Sequence, residues 1–481
     1  MKVLIIGAGW AGLAAAVEAT RLGHHATVLE AARAVGGRAR ALKVPLPDGT
    51  QATLDNGQHI LIGAYTQTLQ LMRDVGINTA TALHRMPLAL QYPDGTGLTL
   101  PDWRKPWFAG ADVAAGILQA KGWGIKDKLS LLRAADAWRR AQFGCPAHYS
   151  VAQLCRSITP RVMADMIEPL VVSALNITAD RASATVFLRV MRDALFAGSP
   201  AHAEGGAVSG AVSGAAGGAT SSAVGGGASD AAGSNMLLPR TDLGALFPQA
   251  AQQWLGTRGA RVVLGQRMEN LSLLSKTQLL EQDLPGLEGY LTSKYDSTII
   301  ATGPADAARL VRTLAQRGDT DNAWLRTADA LQHTAITTVY AHSTTLPDNL
   351  FTMPVMALRS SAQQPAQFVF DRGALCGQHG VLAFVVSASQ GDAASIEQQV
   401  IAQGKAQLGL RDLQPLKTIV EKRATFACTP GVHRPPLRIA DGLLACGDYV
   451  DGPYPATLEG AVRSGLAAAR ALQPRPHTLH C

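Results

Sequence analysis

The stretch MKVLIIGAGWAGLAAAVEATRLGHHATVLE constrains this chain more than any other. Val3 to Ile6 is a short apolar run of buried-strand type, and Gly7, Gly9 and Gly12 follow it at the spacing G-x-G-x-x-G. Ala11 to Leu22 has helical composition, with Glu18 and Arg21 available for a solvated face. A second apolar run, His24 to Glu30, follows Gly23 and ends on an acid. Strand, glycine turn, helix, strand and acid make a βαβ unit. In such a unit Gly7 forms the tight turn, Gly9 lets a pyrophosphate approach the backbone, and Gly12 lets the helix pack on the strand. The pyrophosphate rests on the helix N-terminus, where unpaired N–H groups and the dipole favour negative charge. Glu30 stands 21 residues beyond Gly9, near the spacing of about 20 at which an acid bonds a ribose hydroxyl. The pattern predicts dinucleotide binding.

A lysine followed by an Ala-rich apolar run also resembles an export signal. A signal, however, ends in a small-residue cleavage site and hands over to an unrelated domain, whereas here strand, turn and helix continue in register. With 481 residues and 47 % hydrophobic content, the chain suffices for about two to four domains. No apolar run reaches the ~18 residues of a membrane span. The six cysteines, at 145, 155, 376, 428, 446 and 481, show no C-x-x-C spacing, so neither a metal site nor a disulfide framework is expected, and a reducing cytoplasm fits. A net charge of +7 permits attraction to anionic surfaces, but no recognition motif for nucleic acid occurs. In Pro101 to Phe108 and Lys121 to Lys128, Trp103, Trp107, Phe108 and Trp123 interleave with Arg104, Lys105, Lys121, Lys126 and Lys128. That composition suits peripheral contact with the inner face of the cell membrane, and equally an ordinary loop with buried tryptophans.

Gly36, Gly37 and Arg38 lie six to eight residues past Glu30. A second glycine turn and a planar cation can therefore close over the same pyrophosphate. The combination of G-x-G-x-x-G, an acid and G-G-R resembles the N-terminal signature of the flavin amine oxidase and phytoene desaturase superfamily, and the resemblance implies FAD rather than NAD. Ala32 departs from it, since many relatives carry arginine there. The far end, LLACGDYVDGPYPATLEGAVRSG, is similar to the family's C-terminal flavin motif. It implies that Asp448, after Gly447, bonds the ribityl chain, and that a helix opening near Thr457 faces the flavin ring. A positive helix end there would stabilise the reduced, anionic ring. The resemblance also implies cofactor contacts at Gly57 and at Ala301, in the turn A-T-G-P.

Motifs at both ends imply an α/β, Rossmann-type FAD-binding domain that is discontinuous in sequence, with a substrate domain of mixed β-sheet and helices, as in the amine oxidase-like two-domain fold. The expected division is 1–85, 234–305 and 425–481 for the cofactor, and 86–200 and 306–424 for the substrate. Strands are expected near Arg258 to Leu271, in Tyr295 to Pro304 and across Thr334 to Ser389, and helices from Asp112 to Ala197. Residues 205–233 hold only Gly, Ala, Ser, Val, Thr and one Asp, a composition expected to be disordered.

Four passages, Asp55 to Tyr65, Glu168 to Asn176, Ser234 to Pro248 and Arg423 to Pro436, together look like the hydroxysqualene dehydroxylases of bacterial hopanoid synthesis. That resemblance implies reductive loss of a hydroxyl from a hydrophobic C30 isoprenoid, with electrons from a donor outside the chain. Such chemistry needs a proton donor, because hydroxide leaves poorly, and an apolar tunnel that excludes water. His59 and Tyr454 are the candidate catalytic residues. His59 can instead bond the backbone or the cofactor, Tyr454 can merely wall the pocket, and Asp55 is expected to hold the turn that follows it. An oxidative desaturase or amine oxidase, and a non-catalytic prenyl-lipid escort, stay open beside the dehydroxylase.

Overall fold

A six-stranded sheet carries the first motif. Its strands lie in the order Arg261–Leu264, His25–Glu30, Lys2–Ile6, Ser297–Ile300, Leu443–Ala445, Arg438–Ala440. All neighbours run parallel except the last pair. Parallel strands are covered on both faces, which is why they read as unbroken apolar runs rather than alternating ones. The computed structural model describes residues 1–46, 49–103, 110–196, 234–271, 295–314, 318–347 and 350–472. Arg104, Lys105, Trp107, Phe108, the low-complexity run 205–233 and Cys481 lie outside the described residues.

Helix Trp10–Arg21 is buried from Trp10 to Ala19, between the sheet and helix Leu458–Arg470. The two helices meet at backbone contact, since a Cβ on Gly465 would stand 2.2 Å from the Ala11 carbonyl oxygen. Glu18, expected on a solvated face, is 7 % exposed and pairs with Arg470 at 2.7 Å. The helix is covered on the side where sequence periodicity placed water, because a segment some 450 residues away returns onto it.

A second sheet is antiparallel throughout, in the order Val355–Ala357, Phe368–Asp371, Val381–Ser389, His333–His342, Gln414–Phe426. Period-two alternation sorts its faces. Val339, Ala341, Val369 and Phe384 pack in one cluster with Ile396 and Val400 of helix Ala393–Leu408. Tyr340, Phe368, Phe370 and Val385 turn the other way, into the largest core cluster. That cluster includes the helical segment, with helices Ile125–Arg140, Glu168–Leu175 and Ala184–Met191 and two π-helical turns, Met163–Ile167 and Arg192–Phe196. Asn176, in the left-handed conformation at the end of one helix, donates to Thr334 Oγ1 and Thr425 Oγ1 at 2.9 and 3.0 Å. It thereby pins helix to sheet.

A buried ion pair joins the two sheets' surroundings. Arg372, 3 % exposed, reaches Asp55 Oδ2 at 3.5 Å and Gln58 Oε1 at 3.0 Å. It also donates to the Thr53 carbonyl and to Gln378 Oε1. Asp55 Oδ1 accepts the Leu243 N–H at 2.8 Å, so this acid ties distant segments together rather than bonding the turn that follows it, where the sequence placed its role. Burial outweighs these partners and pushes the Asp55 carboxyl up from 3.8 to about 6. The folded state therefore binds more protons than the unfolded chain between about pH 4 and 6, and the stability linked to Asp55 is full below that window and lost as pH rises through it. Arg372→Met, which strands the carboxylate, is expected to cost about 3–5 kcal/mol near neutral pH. Thermal melts as a function of pH should show the loss shrinking in acid, where Asp55 takes a proton instead; a loss independent of pH would contradict this.

Candidate active site

One cavity of about 770 Å³ runs from the carboxyl edge of the parallel sheet to the inner face of the antiparallel one. Gly7, Gly9, Glu30, Gly36, Gly37, Arg38, Gly57, His59, Ala301, Gly447, Asp448, Tyr454 and Thr457 all line it. Gly12 does not: a Cβ there would stand 1.9 Å from the Gly7 carbonyl oxygen, so this glycine serves helix-on-strand packing, as its spacing implied.

The polar end is built around the first turn. Gly7, at φ +113°, would drive a Cβ to 2.8 Å from the Ala301 carbonyl oxygen. A Cβ on Gly9 would meet nothing within 4 Å, whereas one on Gly37 would meet Gly9 Cα at 3.2 Å. Helix Trp10–Arg21 opens with no side-chain cap and no acid in its first turn, which leaves its N–H groups and dipole free for an anion. The Trp10 indole N–H, buried in the cavity wall, has no partner among the described residues. Glu30 takes the Ala8 N–H at 2.7 Å and the Ala32 N–H at 2.8 Å. This fixes its carboxylate while leaving lone pairs for a further donor. An extended dinucleotide fits this glycine cradle.

The C-terminal motif closes the cradle. Arg38 donates to Asp448 Oδ1 and to the Ala424 carbonyl, both at 2.5 Å. The charge of Asp448 raises the Arg38 pKa further, so this guanidinium stays charged. Thr457 caps helix Leu458–Arg470 by accepting the Gly460 N–H at 3.0 Å. Glu459, fully buried, accepts the N–H groups of Gln67 and Thr68 and the Thr68 hydroxyl, the last at 2.7 Å. One carboxylate thus caps the neighbouring helix Thr66–Asp74 and is itself paired with Arg463 at 2.6 Å.

His59 Nδ1 lies 2.7 Å from the Gly57 carbonyl oxygen. A carbonyl only accepts, so Nδ1 carries the hydrogen. Burial lowers the His59 pKa, which leaves a neutral ring whose one N–H is already engaged. The Tyr454 hydroxyl donates to Asp193 Oδ2 at 2.9 Å; burial first, then this carboxylate, raises the Tyr454 pKa. Asp193 also pairs with Arg192 at 2.7 Å, and the Arg463 guanidinium stands over the Tyr454 ring at 5.0 Å. Beyond this group the cavity becomes apolar, walled by Leu88, Leu170, Val186, Val190, Phe368 and Phe370 among others.

Asp193 escaped the sequence reading because a π-helical turn has no composition signature, although such turns mark functional sites. Gln266, Arg267 and Met268, which also line the cavity, follow strand Arg261–Leu264. The rule that ligands bind at the carboxyl ends of parallel strands would have found them. Among the described residues, no group of three or more His, Cys, Asp or Glu is placed to hold a metal ion.

The sequence pattern of the flavin containing amine oxidoreductase family matches residues 10–473. The chain belongs to this family. FAD is therefore its cofactor and oxidoreduction its class of chemistry. Two full-length relatives in the family are hydroxysqualene dehydroxylases, 23 % identical in Sinorhizobium fredii and 24 % in Rhodopseudomonas palustris, each alignment covering 97 % of both chains. An oxidoreductase from Methanosarcina mazei has the same fold, with a TM-score of 0.64 at 15 % identity over 98 % of this chain and 100 % of the other.

Gly9→Val separates cofactor space from packing in this flavoprotein. The position is extended backbone with open space at its Cβ, so the variant is expected to fold at wild-type stability and to purify without flavin absorbance. Gly12→Val, which meets backbone, is expected to unfold. A yellow Gly9→Val protein would place the cofactor elsewhere.

Proposed function

We propose that the protein reductively removes the hydroxyl of hydroxysqualene to give squalene. The observation that carries this reading is the continuity of one cavity from the glycine cradle to walls of aliphatic and aromatic side chains. In this reading residues 1–85, 234–305 and 425–481 serve the cofactor, and 86–200 and 306–424 the isoprenoid. Gly7, Gly9, Gly36, Gly37 and the helix N-terminus would hold the pyrophosphate, Glu30 a ribose, and Asp448, Gly447 and Thr457 the flavin end. The two hydroxysqualene dehydroxylase relatives support the same substrate.

FAD held by these residues would, once reduced by an electron donor outside the chain, supply a hydride to the carbon that loses oxygen. The chain's own part is to bind the isoprenoid by burial, exclude the water that would recapture an allylic cation, and deliver a proton to the departing oxygen. The Nδ1–H of His59 is fixed in the ring plane on the Gly57 carbonyl, so in this reading its part is to hold the Gly57 turn, whereas the Tyr454 O–H, which donates to Asp193, can rotate about its C–O bond towards a departing oxygen. Tyr454 has a hydroxyl at the border between polar and apolar walls. A phenol is ordinarily a stronger acid than water, so its proton would pass to the departing oxygen as water forms. Arg463 over its ring and Arg192 beside Asp193 balance the charge left behind.

An amine oxidase needs open aromatic faces for an ammonium group. Tyr65 and Tyr454 do approach, at 6.4 Å between ring centres, but Arg463 stands on the Tyr454 ring. A cationic substrate is disfavoured there.

Anaerobically reduced protein mixed with hydroxysqualene is expected to reoxidise its flavin and release squalene. Tyr454→Phe is expected to keep its flavin and slow that turnover by about 100-fold or more. No reoxidation, together with oxidation of an amine or desaturation of an isoprenoid, would overturn the assignment.

A further inference from the structure

The described residues expose five large apolar side chains, and three of them, Leu118 at 59 %, Ile125 at 79 % and Leu129 at 42 %, fall within twelve residues. Ile125 and Leu129 stand one turn apart on helix Ile125–Arg140. The Lys128 ammonium donates to the Leu118 carbonyl at 2.7 Å, which brings the end of helix Ala111–Gln119 beside that turn. The three side chains therefore share one tip. They are not the helix's core stripe, which is Leu131, Ala134, Ala135 and Trp138, all buried.

Cations ring the tip. Lys121, Lys126 and Arg133 are exposed and Lys128 half-buried. The acid among them, Asp127, is turned to the Gly124 N–H at 2.9 Å and the Thr159 hydroxyl at 2.6 Å. Trp123, which the sequence left open between an interface and a buried position, is 6 % exposed and donates its indole N–H to the buried Asp165 at 3.2 Å; it braces the tip from below. Lys121 also bridges strand Gly97–Thr99. That strand pairs with Ala89–Gln91, and Leu88, Ala89 and Leu90 line the cavity. The tip and the cavity wall thus share one small sheet.

We propose that Leu118, Ile125 and Leu129, with Lys121, Lys126, Lys128 and Arg133, form a docking tip for an anionic lipid bilayer. Lysine is depleted at protein–protein interfaces, whereas single apolar side chains standing among lysines are what an interfacial helix presents to headgroups and acyl chains. The inference rests on exposure and charge, not on the identity of the substrate.

The test is flotation of the FAD-loaded, full-length protein with phosphatidylcholine vesicles, with and without phosphatidylglycerol. Binding is expected to the anionic vesicles and to weaken with salt. The double substitution Ile125→Glu, Leu129→Glu is expected to lower the bound fraction about tenfold, and Lys121→Glu with Lys126→Glu by a similar factor. Flavin absorbance and melting temperature, read on the same samples, are expected to stay unchanged. Absence of wild-type flotation, flotation indifferent to both double variants, or conversion of a dimer to a monomer by the apolar pair would overturn the proposal.

Discussion

A guanidinium from residue 38 meets a carboxylate from residue 448 at 2.5 Å, across 410 residues of chain. The contact lies where two turns from opposite ends of the sequence must meet for the cavity to have a floor. Strand Lys2–Ile6 pairs with Ser297–Ile300, and that strand with Leu443–Ala445, so the sheet is complete only once the chain has left and returned twice. The ion pair then fixes the distance between the G-G-R turn and the G-D turn. Arg38 also donates to the Ala424 carbonyl, at the end of the longest strand of the antiparallel sheet. One side chain thereby registers both sheets against the cradle.

Around that pair the site divides by solvation. On one side are backbone N–H groups, a helix end kept clear of acids, and a carboxylate held by two amides. On the other the walls are aliphatic and aromatic. Such a gradient lets a charged dinucleotide and a water-free hydrocarbon occupy one continuous volume without either being badly solvated. The Tyr454–Asp193 pair stands on the border, with an arginine at each member.

The sequence made the local elements legible and left the long-range contacts largely hidden. Strand, turn and helix from Lys2 to Glu30 follow from short-range spacing, and so do strands Arg261–Leu264, Ser297–Ile300 and Leu443–Ala445 and the helix capped by Thr457. Glu18 was misplaced because periodicity within one helix cannot foresee a second helix arriving on its outer face. Strand Gln414–Phe426 lay beyond the expected β-rich span because its half-exposed, charge-bearing pattern reads as neither a core strand nor an amphipathic helix. Composition alone left Trp123 open between interface and core, because the Asp165 that accepts its indole N–H is 42 residues away in sequence.

A double-mutant cycle on Arg38→Met and Asp448→Asn, read as FAD affinity of the refolded apoprotein, tests most directly whether this contact sets the cradle. Each single variant is expected to weaken FAD binding, and the double variant to bind no more weakly than the worse single one, a coupling of about 1–3 kcal/mol. Additive losses, or either single variant binding FAD as tightly as the native chain, would contradict it.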